Sequence, residues 1–287
     1  MILILGGTGA VGTHVTSALA GRDDVRALAH SDASEQKLRD AGVRDVVRGD
    51  LAHYGTLDAA FAGVRRLFLL APAGPDQASN EHHALDAAQA AGVQRVIKLS
   101  VIYTGEPPRT YVKRPHEAIE RRLAESRLSY VALRPPAFMT NLLMQVELIR
   151  QGQTIWSAGD ARIPHVDPRD LGEVAATLLT GGADELEGGH TITGPETLSF
   201  DEVSERIGSA IGRPVQYVDA APDDWRAGLL DAGLPDWLAD ALVEIYVDYE
   251  RRGTTEVSDL TERVLGRPAR RLEDFLRDTL TPALRAA

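Results

Sequence analysis

A glycine-rich turn between an apolar run and a helical pattern constrains this chain more than any other feature. Ile2-Leu3-Ile4-Leu5 leads directly into Gly6-Gly7-Thr8-Gly9-Ala10-Val11-Gly12. The run reads as a buried strand and the residues after it as a helix, so the glycines sit at a strand-to-helix turn. Read as Gly7-x-Gly9-x-x-Gly12 or as Gly6-x-x-Gly9-x-x-Gly12, the spacing is that of a dinucleotide loop. One glycine turns the chain, one lets the backbone approach a pyrophosphate, and one permits close helix–sheet contact. Free amides at the helix start complete the phosphate site, which implicates Gly6, Gly7, Thr8, Gly9, Ala10 and Val11 in cofactor binding.

The same rhythm continues to about residue 134. Strands are expected at 2–5, 25–29, 45–47, 66–70, 96–99 and 130–133, alternating with helices at 10–20, 34–41, 56–61, 79–91 and 116–124. That alternation predicts an α/β fold with a doubly wound parallel sheet of the Rossmann type, with ligands outside the carboxyl ends of the strands. After Arg134-Pro135-Pro136 the pattern gives way to longer helices and isolated strands. Residues 1–134 are therefore expected to form the NAD(P)-binding domain, and 135–287 a smaller mixed α/β lobe that shapes a substrate site and returns some elements to the sheet. Ser199 and Glu202 fit a capping box opening a helix that ends near Gly212. Trp237, Leu238, Leu242, Ile245 and Tyr246 form a stripe at helical spacing, most simply a face turned to the core.

Composition excludes several classes. The formal charge of −11 is spread along the chain and disfavours a nucleic-acid reader built on basic patches. With no cysteine there is no thiol chemistry or disulfide framework, and no apolar run reaches the length of a membrane span. A cytoplasmic protein acting on a small molecule is expected, and a homodimer is compatible with such a chain. Lysine occurs only at 37, 98 and 113, among many arginines. This reads as coding bias, since either residue serves a solvated surface. His82-His83 beside Glu81 point in different directions on a helix, so they are expected to be solvated, and no metal site is expected. No Gly-x-Ser-x-Gly elbow or Walker loop is present.

The second strand ends at Ala29-His30-Ser31, without the carboxylate at its tip that NAD selection usually uses. His30 and Ser31 are placed to meet a 2′-phosphate, which favours NADPH over NADH. Ser100-Val101-Ile102-Tyr103 leaves the fifth strand, where Tyr103 is a candidate to bind or stack on a planar substrate. Phe138, after the sixth strand, is a candidate apolar wall. His116, near the start of a helix after Pro115, is a candidate site residue expected to remain neutral.

Residues 6–12 (GGTGAVG), 25–31 (VRALAHS), 49–51 (GDL), 133–143 (LRPPAFMTNLL), 165–175 (HVDPRDLGEVA) and 266–278 (GRPARRLEDFLRD) together resemble the NmrA-like family of atypical short-chain dehydrogenases, close to the bacterial NAD(P)H:quinone oxidoreductases. The resemblance covers nearly the whole chain. It implies that Asp50, Leu51, Ala71 and Pro72 join the loop and His30 around the dinucleotide. It also sets a register. In the related extended dehydrogenases a Tyr-x-x-x-Lys-x-x-x-Glu-x-x-Leu pattern supplies the proton donor; aligned on Glu120 and Leu123, the lysine falls on His116 and the tyrosine on Val112. Tyr111 and Lys113 each stand one position off. Delivering hydride to an ordinary ketone leaves a localised alkoxide that needs a placed acid, whereas a quinone yields a delocalised anion that water can protonate. The expected activity is hydride transfer from NADPH to a quinone or similar conjugated molecule. A dinucleotide-sensing regulator that binds a partner protein, and a tailoring or isomerising enzyme, remain the alternatives.

Overall fold

The opening apolar run is buried on both sides: Ile2, Leu3, Ile4 and Leu5 are all 3% exposed or less. In the computed structural model, which describes residues 1–286, it forms β1 (Ile2–Ile4) at the middle of a parallel sheet. The other five expected strands follow as β2 (Val25–Ala29), β3 (Asp45–Arg48), β4 (Arg66–Leu69), β5 (Arg95–Leu99) and β6 (Ser129–Arg134). β7 (Gln153–Trp156) and β8 (Arg162–Ile163) lie outside the sheet, and β9 (Gly188–Thr191) adds a seventh parallel strand beside β6.

The strand order is β3-β2-β1-β4-β5-β6-β9. The chain steps one way from β1 to β3 and then resumes at β4 on the other side of β1, so the crevice opens between β1 and β4. One face of the sheet carries α1 (Gly12–Ala18) and α2 (Asp32–Asp40); the other carries α3 (Asp58–Phe61), α4 (Gln77–Ala91) and α5 (Lys113–Glu125). Pro115 is tolerated in the first turn of α5, where its missing N–H is not needed.

α6 (Val146–Arg150) belongs to the smaller lobe, but α7 (Pro168–Leu179) returns to the first face, where Leu171, Val174 and Leu178 share a core with Ile4, Val15 and Leu19. Gly172 makes that approach possible, since a Cβ there would lie 2.4 Å from the Cβ of His14 on α1. With β9, α7 brings part of the second half of the chain into the first half's layers.

The remaining lobe is built from α8 (Phe200–Ile211), α9 (Pro222–Asp231), α10 (Asp236–Arg252) and α11 (Leu260–Leu265), with β10 (Leu198–Ser199) antiparallel to β8 and β11 (Gln216–Asp219) parallel to β7. The expected capping box opens α8: Glu202 N–H donates to Ser199 Oγ at 3.1 Å and Ser199 N–H to Glu202 Oε2 at 2.9 Å. Gly212 closes the helix in the left-handed region, with φ at 75°. Trp156 stacks on Tyr246 with centroids 5.0 Å apart, and Trp225 meets Tyr246 edge-on at 5.3 Å, which fixes α10 over the lobe. No helix among the described residues is long and apolar enough to cross a membrane.

Candidate active site

A cavity of about 460 Å³ lies along the carboxyl ends of the strands. Its floor is the loop from Gly6 to Val11, and His30, Asp50, Leu51, Ala71 and Pro72 line it after β2, β3 and β4. The glycines divide by what surrounds them. Gly6 has φ at 67°, and a Cβ on it would stand 2.6 Å from the Leu70 carbonyl oxygen. A Cβ on Gly12 would stand 1.9 Å from the Gly6 oxygen. At Gly9 the nearest atom would be 3.4 Å away, so the protein itself leaves that position open. No side chain caps the start of α1; Thr13 and His14 N–H already donate to the Gly9 and Val11 carbonyls, so a ligand would meet the loop amides ahead of them.

Ser31 is the exception among the expected lining residues. It is the N-cap of α2: Ser34 N–H donates to its hydroxyl at 3.2 Å, and Ser31 N–H donates to Ser34 Oγ at 3.0 Å. Ser34, not Ser31, lines the cavity. Asp50 accepts from Ala52 N–H and contacts His53 Nδ1, and these hold its carboxyl below the ordinary value. The adjacent histidines do diverge but are not simply solvated. His83 Nδ1 meets the Leu51 carbonyl oxygen at 2.7 Å, steadying the loop after β3, and His82 faces Arg122. Among the described residues there is no His, Asp or Glu group arranged to hold a metal ion.

A second cavity of about 290 Å³ adjoins the first, and the two share Leu70, Ala71, Ala73, Leu99 and Phe138. Phe138, a candidate from sequence, therefore stands at the junction. Val112 and His116, four residues apart, both line the second cavity, while Lys113 turns away and pairs with Asp248 at 2.8 Å, each about 1% exposed. On the helix, one position is a rotation that carries Lys113 off the face shared by Val112 and His116. Tyr111, expected to be turned away by its one-position offset, precedes the helix and is not bound by its rotation; it lines the cavity with its hydroxyl buried and unpartnered.

Tyr103 is not where the sequence placed it. It lines neither cavity, its hydroxyl is 2.7 Å from Thr255 Oγ1, and the Arg252 guanidinium lies over its ring at 3.9 Å. Its left-handed backbone, φ 59°, carries the ring away from the strand ends and toward the end of α10. It anchors a loop. His116 is buried at the cavity wall with Nδ1 3.2 Å from Lys98 Nζ, and burial followed by the Lys98 charge pushes its pKa well below the ordinary value.

Sequence reasoning missed the opposite wall. The stripe on α10 packs into the lobe's core as expected, through Ile245, Tyr246 and Leu242, and is also a cavity face: Trp237, Leu242, Ile245 and Tyr246 all line it, as does Asn141. Periodicity reports that a face is covered, not whether protein or ligand covers it. Nor are the lysines interchangeable with arginine. Lys98 and Lys113 are buried ammonium groups, and a compact head on a flexible stem fits where a planar fork would not. Among the described residues no Asp, Glu, Lys or Arg lines the second cavity.

Residues 1–275 match the model of the NmrA-like family. The chain is 32% identical over 277 residues to an NAD(P)H azoreductase of Xenophilus azovorans, covering 96% of each. It is also 32% identical over 279 residues, again 96% of each, to a (4-alkanoyl-5-oxo-2,5-dihydrofuran-3-yl)methyl phosphate reductase of Streptomyces griseus. The crystal structure of an NADPH-dependent quinone oxidoreductase from Escherichia coli, complexed with NADPH, superposes with a TM-score of 0.87 at 25% identity, over 96% of this chain and 99% of that one. By sequence and by fold alike, the chain belongs to the NmrA-like family.

Proposed function

We propose that this protein is an NAD(P)H-dependent reductase, using NADPH in preference to NADH, that transfers hydride to a quinone or a similarly conjugated, uncharged acceptor. The observation that carries this reading is the pair of joined cavities. One lies on the glycine loop and the other is walled by apolar and aromatic side chains without a formal charge. The nicotinamide would reach the junction near Leu99 and Phe138, with its far end on the loop and the adenosine toward His30. Bound there, the cofactor supplies the hydride; the chain positions it, excludes water and shapes the acceptor.

Two relatives support the acceptor class, one an azoreductase and one a quinone oxidoreductase. The phosphorylated acceptor in the name of a third would find no lysine or arginine in the second cavity to pair with. In the register anchored on Glu120 and Leu123, Val112 and His116 take the places of a Tyr-x-x-x-Lys pair, and that reading favours acceptors whose reduced anion is delocalised. At the tip of β2, Asp32 faces Arg48 and lies outside the cavity, so no carboxylate there opposes a 2′-phosphate.

The test is NADPH oxidation by the purified protein against a panel of naphthoquinones and azo dyes, with NADH in parallel. Turnover with a lower KM for NADPH is expected. Tight cofactor binding without turnover on the whole panel would replace this reading with that of a dinucleotide-sensing regulator.

A further inference from the structure

Behind the second cavity, β5, α4 and α5 bring four buried polar side chains into a line. Glu81 and Lys98 are both 0% exposed, and Lys98 Nζ donates to Glu81 Oε1 at 2.9 Å. Glu81 Oε1 also accepts from Ala71 N–H at 3.2 Å, while its Oε2 has no partner. Lys98 reaches on to His116 Nδ1 at 3.2 Å, and His116 Nε2 lies 3.4 Å from the side-chain amide of Gln77. His116 and Gln77 line the cavity; Lys98 and Glu81 stand behind them.

The ammonium sets the direction of every bond in this line. An ammonium only donates, so Nδ1 of His116 must accept. The imidazole is neutral, as its burial and the adjacent charge require. It therefore carries its one proton on Nε2. Gln77 must then turn its amide oxygen to that N–H, which leaves the NH₂ group for the cavity side. Among the described residues no charged side chain lines the cavity wall, and this NH₂ group is the donor that the buried line orients toward it.

We propose that Glu81, Lys98 and His116 are positioning residues that hold Gln77 as a directed hydrogen-bond donor for the acceptor atom on which negative charge gathers. This rests on the reading of the second cavity as the acceptor site. Hydride adds to a conjugated carbon of the acceptor, the displaced electron pair moves to its carbonyl oxygen, and the nicotinamide is left oxidised. The Gln77 NH₂ group holds the oxyanion until water supplies its proton, so no proton leaves the line of residues. Donors of this kind are worth roughly a hundred- to a thousandfold in rate.

The test separates this from the reaction itself. para-Nitrophenol is titrated spectroscopically with protein saturated in NADP⁺, since its phenolate mimics the anionic oxygen. Wild-type protein is expected to lower the phenol's pKa by about one unit, a tenfold preference for the anion. Gln77→Leu and His116→Leu should each abolish most of that shift. Lys98→Met combined with Glu81→Gln, which leaves no buried carboxylate unpaired, should abolish part of it, because the imidazole proton is then free to move to Nδ1. With naphthoquinone, His116→Leu should lower kcat roughly a hundredfold while leaving NADPH affinity unchanged. The proposal is overturned if para-nitrophenol does not bind, if its pKa is not lowered, or if the lowering survives in folded Gln77→Leu and His116→Leu. A lowered pKa without naphthoquinone turnover would retain the donor line and overturn the proposed reaction.

Discussion

The three-residue spacing of the loop hides two different requirements. Gly12 is demanded by the protein, because a methyl group there would collide with the Gly6 carbonyl oxygen. Gly9 has room for a side chain, so its glycine answers to whatever occupies the cavity. Gly12→Ala should cost about 3 kcal/mol through overpacking, read as a lowered melting temperature without ligand. Gly9→Asp should leave that temperature nearly unchanged but weaken NADPH. A new carboxylate about 4 Å from a pyrophosphate charge costs about 4 kcal/mol at an effective dielectric near 20, roughly a thousandfold in Kd. Equal losses of stability in both variants would defeat the distinction. The loop was legible because its spacing locates it directly, and Asp50, Leu51, Ala71 and Pro72 through the family resemblance. Tyr103 was not, because its place depends on a left-handed backbone and on Thr255, far along the chain. Lys98 and Glu81 were not, because nothing local marks a residue whose partner is brought by another element.

Elements were legible in type where their periodicity is strong, and only partly read where their surroundings add a second role. The α10 stripe shows this, since only the packed lobe reveals that it roofs a cavity. What holds that roof is a charge cluster whose centre, Lys113 and Asp248, is buried. Asp248 receives Lys113 at 2.8 Å and Arg252 at 3.1 Å, and Arg252 reaches Glu106 at 2.9 Å. The two halves of the main pair are unequal. Asp248→Leu would strand the Lys113 ammonium with only the Glu106 carbonyl oxygen, 3.3 Å away, and should cost about 3–5 kcal/mol. Lys113→Met should cost less, because Asp248 keeps Arg252. The double variant should recover much of the Asp248→Leu loss, since an apolar pair strands no charge. Urea-unfolding midpoints of the three variants check the order; additive losses would show that Lys113 and Asp248 are not coupled.

At the scale of the molecule, residue 134 marks where the sequence rhythm changes but not where the core ends. Val166, Leu171, Val174, Leu178 and Ile192 complete the face of the sheet begun by Ile2, Ile4, Val15 and Leu19, and β9 covers the edge of β6. α7 is in turn tied to the end of the chain, where the fully buried Asp170 accepts from Arg267 Nη2 at 2.8 Å and from the Arg270 backbone N–H at 2.7 Å. A fragment of residues 1–134 contains the whole glycine loop and six strands. It would nevertheless expose one apolar face of the central strands and an unpaired parallel edge, both of which promote association between copies. Its expected behaviour is aggregation, or a soluble form without a cooperative unfolding transition and without NADPH binding. A fragment that unfolds cooperatively and binds NADPH with the affinity of the full chain would show instead that α7 and β9 are dispensable to the cofactor site. The expectation follows from layer geometry. A parallel sheet must be covered on both faces, and here the cover for one face comes largely from the half of the chain that also walls the second cavity. The two cavities are therefore built on one core, and loosening either half should disturb both.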